Sequence, residues 1–295
     1  VIGLLLGHMI GICAGMVALF QDSFMSIIKL TKKLRWKHIL YALIRYKNFP
    51  LITIWADMAN MASKHFPVII ISGLFSPLYA GYYILANRVG NIPVAVISDG
   101  ASKAFFAEAP FALKEGYLDK LSINVFTFLM RISFPPFLIL AFYAPSMFEF
   151  IFGKNWLVAG EYVQALILHM ISVFIFIPIL TLIPVYEKQR VGFVFQITML
   201  IVSIGTISIG SFFNNVKLAL ALYGFGTALV YCFLGILVMN FTGIEYRTII
   251  RLLIKEIFLI LPLGAVLFLV KYYFLYSPAI LILLYYIGIL IIIGL

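Results

Sequence analysis

The chain has 295 residues, of which 64% are hydrophobic and 11% charged, and its mean hydropathy is +1.12. Soluble domains carry about 25% charged residues, so this composition excludes a water-soluble globular protein and specifies an integral membrane one. The net charge of +10 does not require nucleic acid as a partner, because the basic residues concentrate in alternate loops, as cytoplasmic loops of membrane proteins do.

A hydrocarbon core of about 30 Å takes about 20 helical residues per crossing. On that measure the sequence divides into nine spans, near 2–21, 50–72, 79–101, 122–147, 161–185, 191–212, 218–241, 257–275 and 279–295. The apolar runs are continuous and do not alternate with period two, which predicts helices and not a barrel. The fold class is therefore an all-α polytopic membrane protein. The chain opens at Val1 inside an apolar run and closes inside another, so it is expected to be the C-terminal portion of a longer protein. The first span carries Gly3, Gly7, Gly11 and Gly15 at four-residue spacing, a small-residue ridge on which a neighbouring helix can pack closely.

Lys29, Lys32, Lys33, Arg35, Lys37, Arg45 and Lys47 follow the first span, interleaved with apolar residues at near-helical spacing. This segment, 22–48, reads as a basic amphipathic helix on the cytoplasmic surface, drawn to anionic headgroups. With Lys103, Lys114, Lys120, Lys188, Arg190, Arg247, Arg251 and Lys255 it places fifteen basic residues on one side of the membrane, against Lys154, Lys217 and Lys271 on the other. That bias puts the first set, and the C-terminal end, in the cytoplasm. Residues 242–256 repeat the amphipathic pattern more briefly. Glu149, Lys154 and Glu161 are expected in a solvated outer loop.

Ionisable groups at membrane depth are costly and point to function. At 100° per residue, Thr53, Asp57, Asn60 and Lys64 fall within an arc of roughly 60° on the second span. On the third, Asn87, Arg88, Asn91, Ser98 and Asp99 fall within about 120°, with Pro93 interrupting the helix. Two consecutive helices with polar stripes are expected to face one cavity. Arg131 is a third basic residue of the spans. Gln164 and His169 are read as packing residues, and Cys13 and Cys232 as small apolar ones with no metal-ligand or disulfide pattern. No cofactor or catalytic motif is present: there is no P-loop, no His-Glu-x-x-His and no Gly-x-Ser-x-Gly. The outer loops are short, which argues against a membrane enzyme with an extracytoplasmic catalytic loop.

Four runs carry a family resemblance: Tyr46-Lys-Asn-Phe-Pro-Leu51 at the entry to the second span, then Phe66-Pro-Val-Ile-Ile-Ile-Ser-Gly-Leu-Phe-Ser-Pro77, Ala80-Gly-Tyr-Tyr-Ile-Leu-Ala-Asn-Arg-Val-Gly-Asn-Ile-Pro93 in the third, and Phe105-Phe-Ala-Glu-Ala109 beyond. Together they resemble the bacterial polysaccharide transporter family. Its members are the O-antigen and capsule-type flippases of the multidrug/oligosaccharidyl-lipid/polysaccharide exporter superfamily. The resemblance implies that the nine spans correspond to helices six to fourteen of a two-bundle transporter. Residues 1–21 would then close the N-terminal bundle, 22–48 link the bundles, 49–241 form the C-terminal six-helix bundle, and 257–295 add two helices after the segment 242–256. It implies translocation of a polyprenyl-diphosphate-linked glycan across the bacterial cytoplasmic membrane by alternating access. By position, Arg88 and Lys64, then Arg131, would attract the diphosphate. Asp57 and Asp99 would balance charge or couple an ion, H+ or Na+, and Asn60, Asn87 and Asn91 would line the cavity. The other reading is a cation-coupled drug or small-molecule antiporter of the same superfamily, with Asp57 and Asp99 binding the cation. Lys64, Arg88 and Arg131 against Asp57 and Asp99 leave one positive charge in excess, which favours an anionic substrate.

Overall fold

The computed structural model describes the backbone of residues 48–273, together with the isolated positions 11, 40 and 41. The first span with its glycine ridge, the basic linker and the last span, 279–295, lie outside the described residues apart from those positions. The chain divides into two compact units, Val1–Leu51 and Ile52–Leu295, and the architecture below is that of the second. Every regular element among the described residues is a helix.

Helix α1 spans Asn48–Leu74 and α2 spans Pro77–Gly90. Pro77 occupies the first turn of α2, where its missing N–H costs nothing. The third predicted span does not end near residue 101. After Pro93 the chain makes one π-helical stretch, Val94–Ser98, and continues as α3, Asp99–Glu115. The basic stretch expected as a loop, with Lys103 and Lys114, is therefore helical. Gly116 stops α3 at φ 80°, a left-handed conformation that glycine adopts without strain. The Tyr117 N–H closes the turn on the Ala112 carbonyl at 3.0 Å. The Tyr117 hydroxyl donates to the Glu108 carboxylate, a bond that holds the phenol protonated above the usual tyrosine range.

Helix α4 spans Leu118–Phe152, and its 35 residues reach about 50 Å, more than a bilayer core requires. Gly153 and a 3-10 turn, Lys154–Trp156, lead into α5, Leu157–Leu180. A short α6, Leu182–Val185, precedes α7, Gln189–Phe212, and α8, Val216–Asn240. Asn215 caps α8 by accepting the Leu218 N–H at 3.0 Å. The segment 242–256 and the eighth predicted span are not separate: α9 runs unbroken over Tyr246–Tyr273. Among the described residues, the stretches Leu118–Phe152, Lys154–Val185, Gln189–Phe212 and Val216–Asn240 are long and apolar enough to cross a membrane.

Helix α5 is the axis of this unit. It lies in the most enclosed of the four long apolar stretches, and it packs against α2, α3, α4 and α8. Val163, Leu166, Met170, Phe174 and Ile179 are fully buried along it. Helix α8 packs in turn on α7, and α9 packs on α4. Close approach depends on absent side chains. A Cβ on Gly160 would sit 2.6 Å from the Ala144 carbonyl oxygen, and one on Gly224 would sit 2.6 Å from that of Ala165.

Two prolines leave backbone acceptors open, and side chains from other helices fill them. A helical carbonyl takes the N–H four residues on. Pro145 cannot serve Ala141, and Pro178 cannot serve Phe174. Gln164 on α5 donates its Nε2 to the Ala141 oxygen of α4 at 2.7 Å. Ser98, fully buried in the π-helical turn, donates its hydroxyl to the Phe174 oxygen of α5 at 2.8 Å. His169 Nδ1 lies 2.9 Å from the Thr227 hydroxyl of α8, and that hydroxyl donates to the Tyr223 carbonyl. His169 is thus the donor to Thr227. Gln164 and His169 pack as expected and also link helices. Glu161, expected in a loop, sits in the first turns of α5 and pairs with Lys217 of α8 at 3.5 Å.

Gly224→Ala should destabilise the bundle by about 1–3 kcal/mol, the usual cost of overpacking a tight contact. Gly205→Ala, where an added Cβ meets nothing within 4 Å, should be neutral or better. Thermal unfolding of the two variants in one detergent checks this, with a lowered midpoint for the first alone.

Candidate functional site

The polar stripe of α1 lies at one edge of its open face. Ala59, Ser63, Pro67 and Ile71 are buried at four-residue spacing and form the packed edge. Asp57 and Lys64 are exposed, and Asn60 is half-buried at the seam between the two. The Ser63 hydroxyl donates to the Asn60 carbonyl at 2.8 Å. Thr53 lies among the residues whose side chains are not described.

At the end of α2, Asn91 Nδ2 donates to both the Asn87 carbonyl at 2.7 Å and the Asn87 Oδ1 at 2.8 Å. The two asparagines therefore bind each other along the helix and close its last turn ahead of Pro93. Arg88 is exposed in the last turn, where the helix dipole favours a cation. The expected grouping of Ser98 with Asp99 does not survive the π-helical turn. A π turn takes an extra residue and breaks the 100° register, so Ser98 turns inward to Phe174 while Asp99 is exposed.

Arg131 has a partner that hydropathy reading did not single out. Its Nε and Nη2 donate to the two carboxylate oxygens of Glu256 at 3.0 and 3.1 Å, a bidentate pair joining α4 to α9. The Glu256 side chain is 1% exposed and that of Arg131 43%. Glu256 fell in the segment read as a surface amphipathic helix, where an acidic residue carries no signal. Its place within a continuous α9, packed on α4, makes it a buried counter-ion. The excess positive charge inferred from the sequence is thereby removed: with Glu256 counted, the set holds three cations and three anions.

The structure thus joins Asn87 to Asn91 and Arg131 to Glu256. Asp57, Lys64, Arg88 and Asp99 are exposed, and none makes an ion pair with a described residue. No cluster of three or more histidine, cysteine or acidic side chains suited to a metal ion occurs among the described residues.

A family model described as polysaccharide biosynthesis protein matches residues 11–161, just over half of the chain. The chain belongs to that family. The match contains every candidate site residue from Asp57 to Arg131, whereas Glu256 lies beyond it. No curated protein and no solved structure matches the chain. In this polysaccharide biosynthesis protein four of the described helical stretches are long and apolar enough to cross a membrane, and the exposed candidate charges Asp57, Lys64, Arg88, Asp99 and Arg131 lie on α1, α2, α3 and α4.

Removing one partner of a buried ion pair leaves the other charge stranded, typically at about 3–5 kcal/mol. Arg131→Ala should therefore lower the thermal midpoint of the purified protein clearly, toward the smaller end of that range because the arginine is partly open to solvent. Arg88→Ala, which strands no partner, should leave the midpoint within about 1 °C of wild type.

Proposed function

We propose that the protein is a flippase that moves a polyprenyl-diphosphate-linked oligosaccharide, an O-antigen or exopolysaccharide repeat unit, from the inner to the outer leaflet of the bacterial cytoplasmic membrane. The observation that carries this reading is membership of a polysaccharide biosynthesis family by a chain with four helical stretches long and apolar enough to cross a membrane among its described residues. A membrane-embedded contribution to glycan synthesis that needs no bond-making machinery is transport of the lipid-linked intermediate. Lys64 and Arg88 are the open cations that would receive the diphosphate, and the prenyl chain would stay in lipid. Two helical bundles rocking about the bound headgroup would expose it to each side in turn. No bond is made or broken. The basic loops and the C-terminal end face the cytoplasm in this arrangement.

A cation-coupled antiporter is the second reading. It is favoured by Asp57 and Asp99, which are exposed and without an ion pair among the described residues. Efflux of a cationic dye that disappears in Asp57→Asn would support it over the flippase.

Arg88→Ala and Lys64→Ala should each cut glycan export by about tenfold while leaving the protein in the membrane at normal abundance, because each removes a charge-assisted contact to the headgroup. Surface-glycan complementation of a deletion strain, with membrane immunoblots alongside, is the measurement. Full complementation by both variants rules out the assignment of these two residues.

A further inference from the structure

We infer that Glu256 is the resident counter-ion of Arg131 in the empty transporter and is displaced when an anionic headgroup binds there. The inference deepens the flippase reading and rests on it. Its basis is the asymmetry of the pair: the Glu256 side chain is sealed from solvent, at 1% exposure, while the Arg131 side chain is 43% exposed. An incoming anion can reach the arginine but not the glutamate. A guanidinium has five N–H donors, and Glu256 engages two of them. Three remain for a second acceptor, so a diphosphate can begin to bind before the carboxylate leaves.

An approach path leads to this point. Lys120, Asn124 and Arg131 are all exposed on α4 and fall within an arc of about 40° at 100° per residue. They run about 16 Å along the helix from its basic end toward its middle. A headgroup drawn to Lys120 meets Asn124 and then Arg131 without crossing the packed face.

The exchange has a mechanical consequence. A carboxylate that is buried and has lost its ion-pair partner is strongly disfavoured. Once the diphosphate holds Arg131, Glu256 has to take up a proton in place or reach water, and the inferred route is the second, a shift of α9 away from α4. Binding at Arg131 is thereby coupled to movement of α9, and Glu256 acts as a positioning residue and not as a ligand of the substrate.

The test uses the full-length protein in lipid nanodiscs and a short-chain prenyl diphosphate as the probe. Glu256→Gln, which keeps the size and one acceptor but removes the competing charge, should tighten binding roughly tenfold. The gain should vanish when Arg131→Lys is added, since a point charge does not replace the fork. A distance measurement between spin labels at the exposed positions Phe128 and Ile250 should lengthen on adding the probe to protein with Arg131 and Glu256 intact. Probe binding by wild type with no tightening in Glu256→Gln, or no change in the label distance, overturns the counter-ion role and leaves the flippase reading standing. Failure of wild type to bind the prenyl diphosphate overturns both.

Discussion

Two proline-vacated carbonyls, on Ala141 and Phe174, hold this helical unit in register. In lipid an unpaired backbone acceptor has no water to turn to, so Pro145 of α4 and Pro178 of α5 each create a site for another group to fill. Gln164 reaches across to Ala141, and Ser98 reaches across to Phe174. Both bonds involve α5, which thereby gains directional links to α4 and to the π-helical turn in addition to non-directional apolar packing. Helices in lipid lack a hydrophobic driving force between them. Close glycine contacts and filled carbonyls supply what water exclusion supplies in a soluble core, and the Gly160 and Gly224 approaches lie on the same central helix.

The candidate site side chains sit where this packing leaves faces open. The π-helical turn buries Ser98 and so exposes Asp99. The Asn87–Asn91 bonds close the end of α2 and present Arg88 outward. The ion pair of Arg131 with Glu256 ties α9 to the packed unit through one partly open arginine. Strongly packed α5 and the polar edges of α1, α2 and α4 are consequences of a single division: residues that can be satisfied inside the bundle are bound there, and the charges that cannot are left on open faces.

The helices were legible because apolar runs of membrane length admit few alternatives, and residues 189–212 and 216–240 fall within about two residues of their predicted ends. Boundaries failed where helical structure does not coincide with hydropathy. Residues 99–115 are helical but carry Lys103, Glu108 and Lys114, and α9 continues through a basic amphipathic start into an apolar stretch. On α1 the exposed positions of Asp57 and Lys64 were legible because 100° per residue holds along a regular helix. The stripe on the third span was legible only as far as Pro93, beyond which the π turn re-aimed Ser98. Glu256 was illegible in principle: its partner is 125 positions away, and no local pattern marks a carboxylate that will meet an arginine from another helix. The same holds for Gln164 and Ser98, although the prolines that require them are plain in the sequence.

Transbilayer movement of the lipid-linked glycan itself is the most direct test of the account. Full-length protein would be reconstituted into liposomes with a fluorescent polyprenyl-diphosphate oligosaccharide, and a membrane-impermeant quencher would report the fraction in the inner leaflet. This protected fraction should become accessible to quencher over time only in liposomes that contain the protein. A protected fraction that stays constant with and without the protein would contradict it.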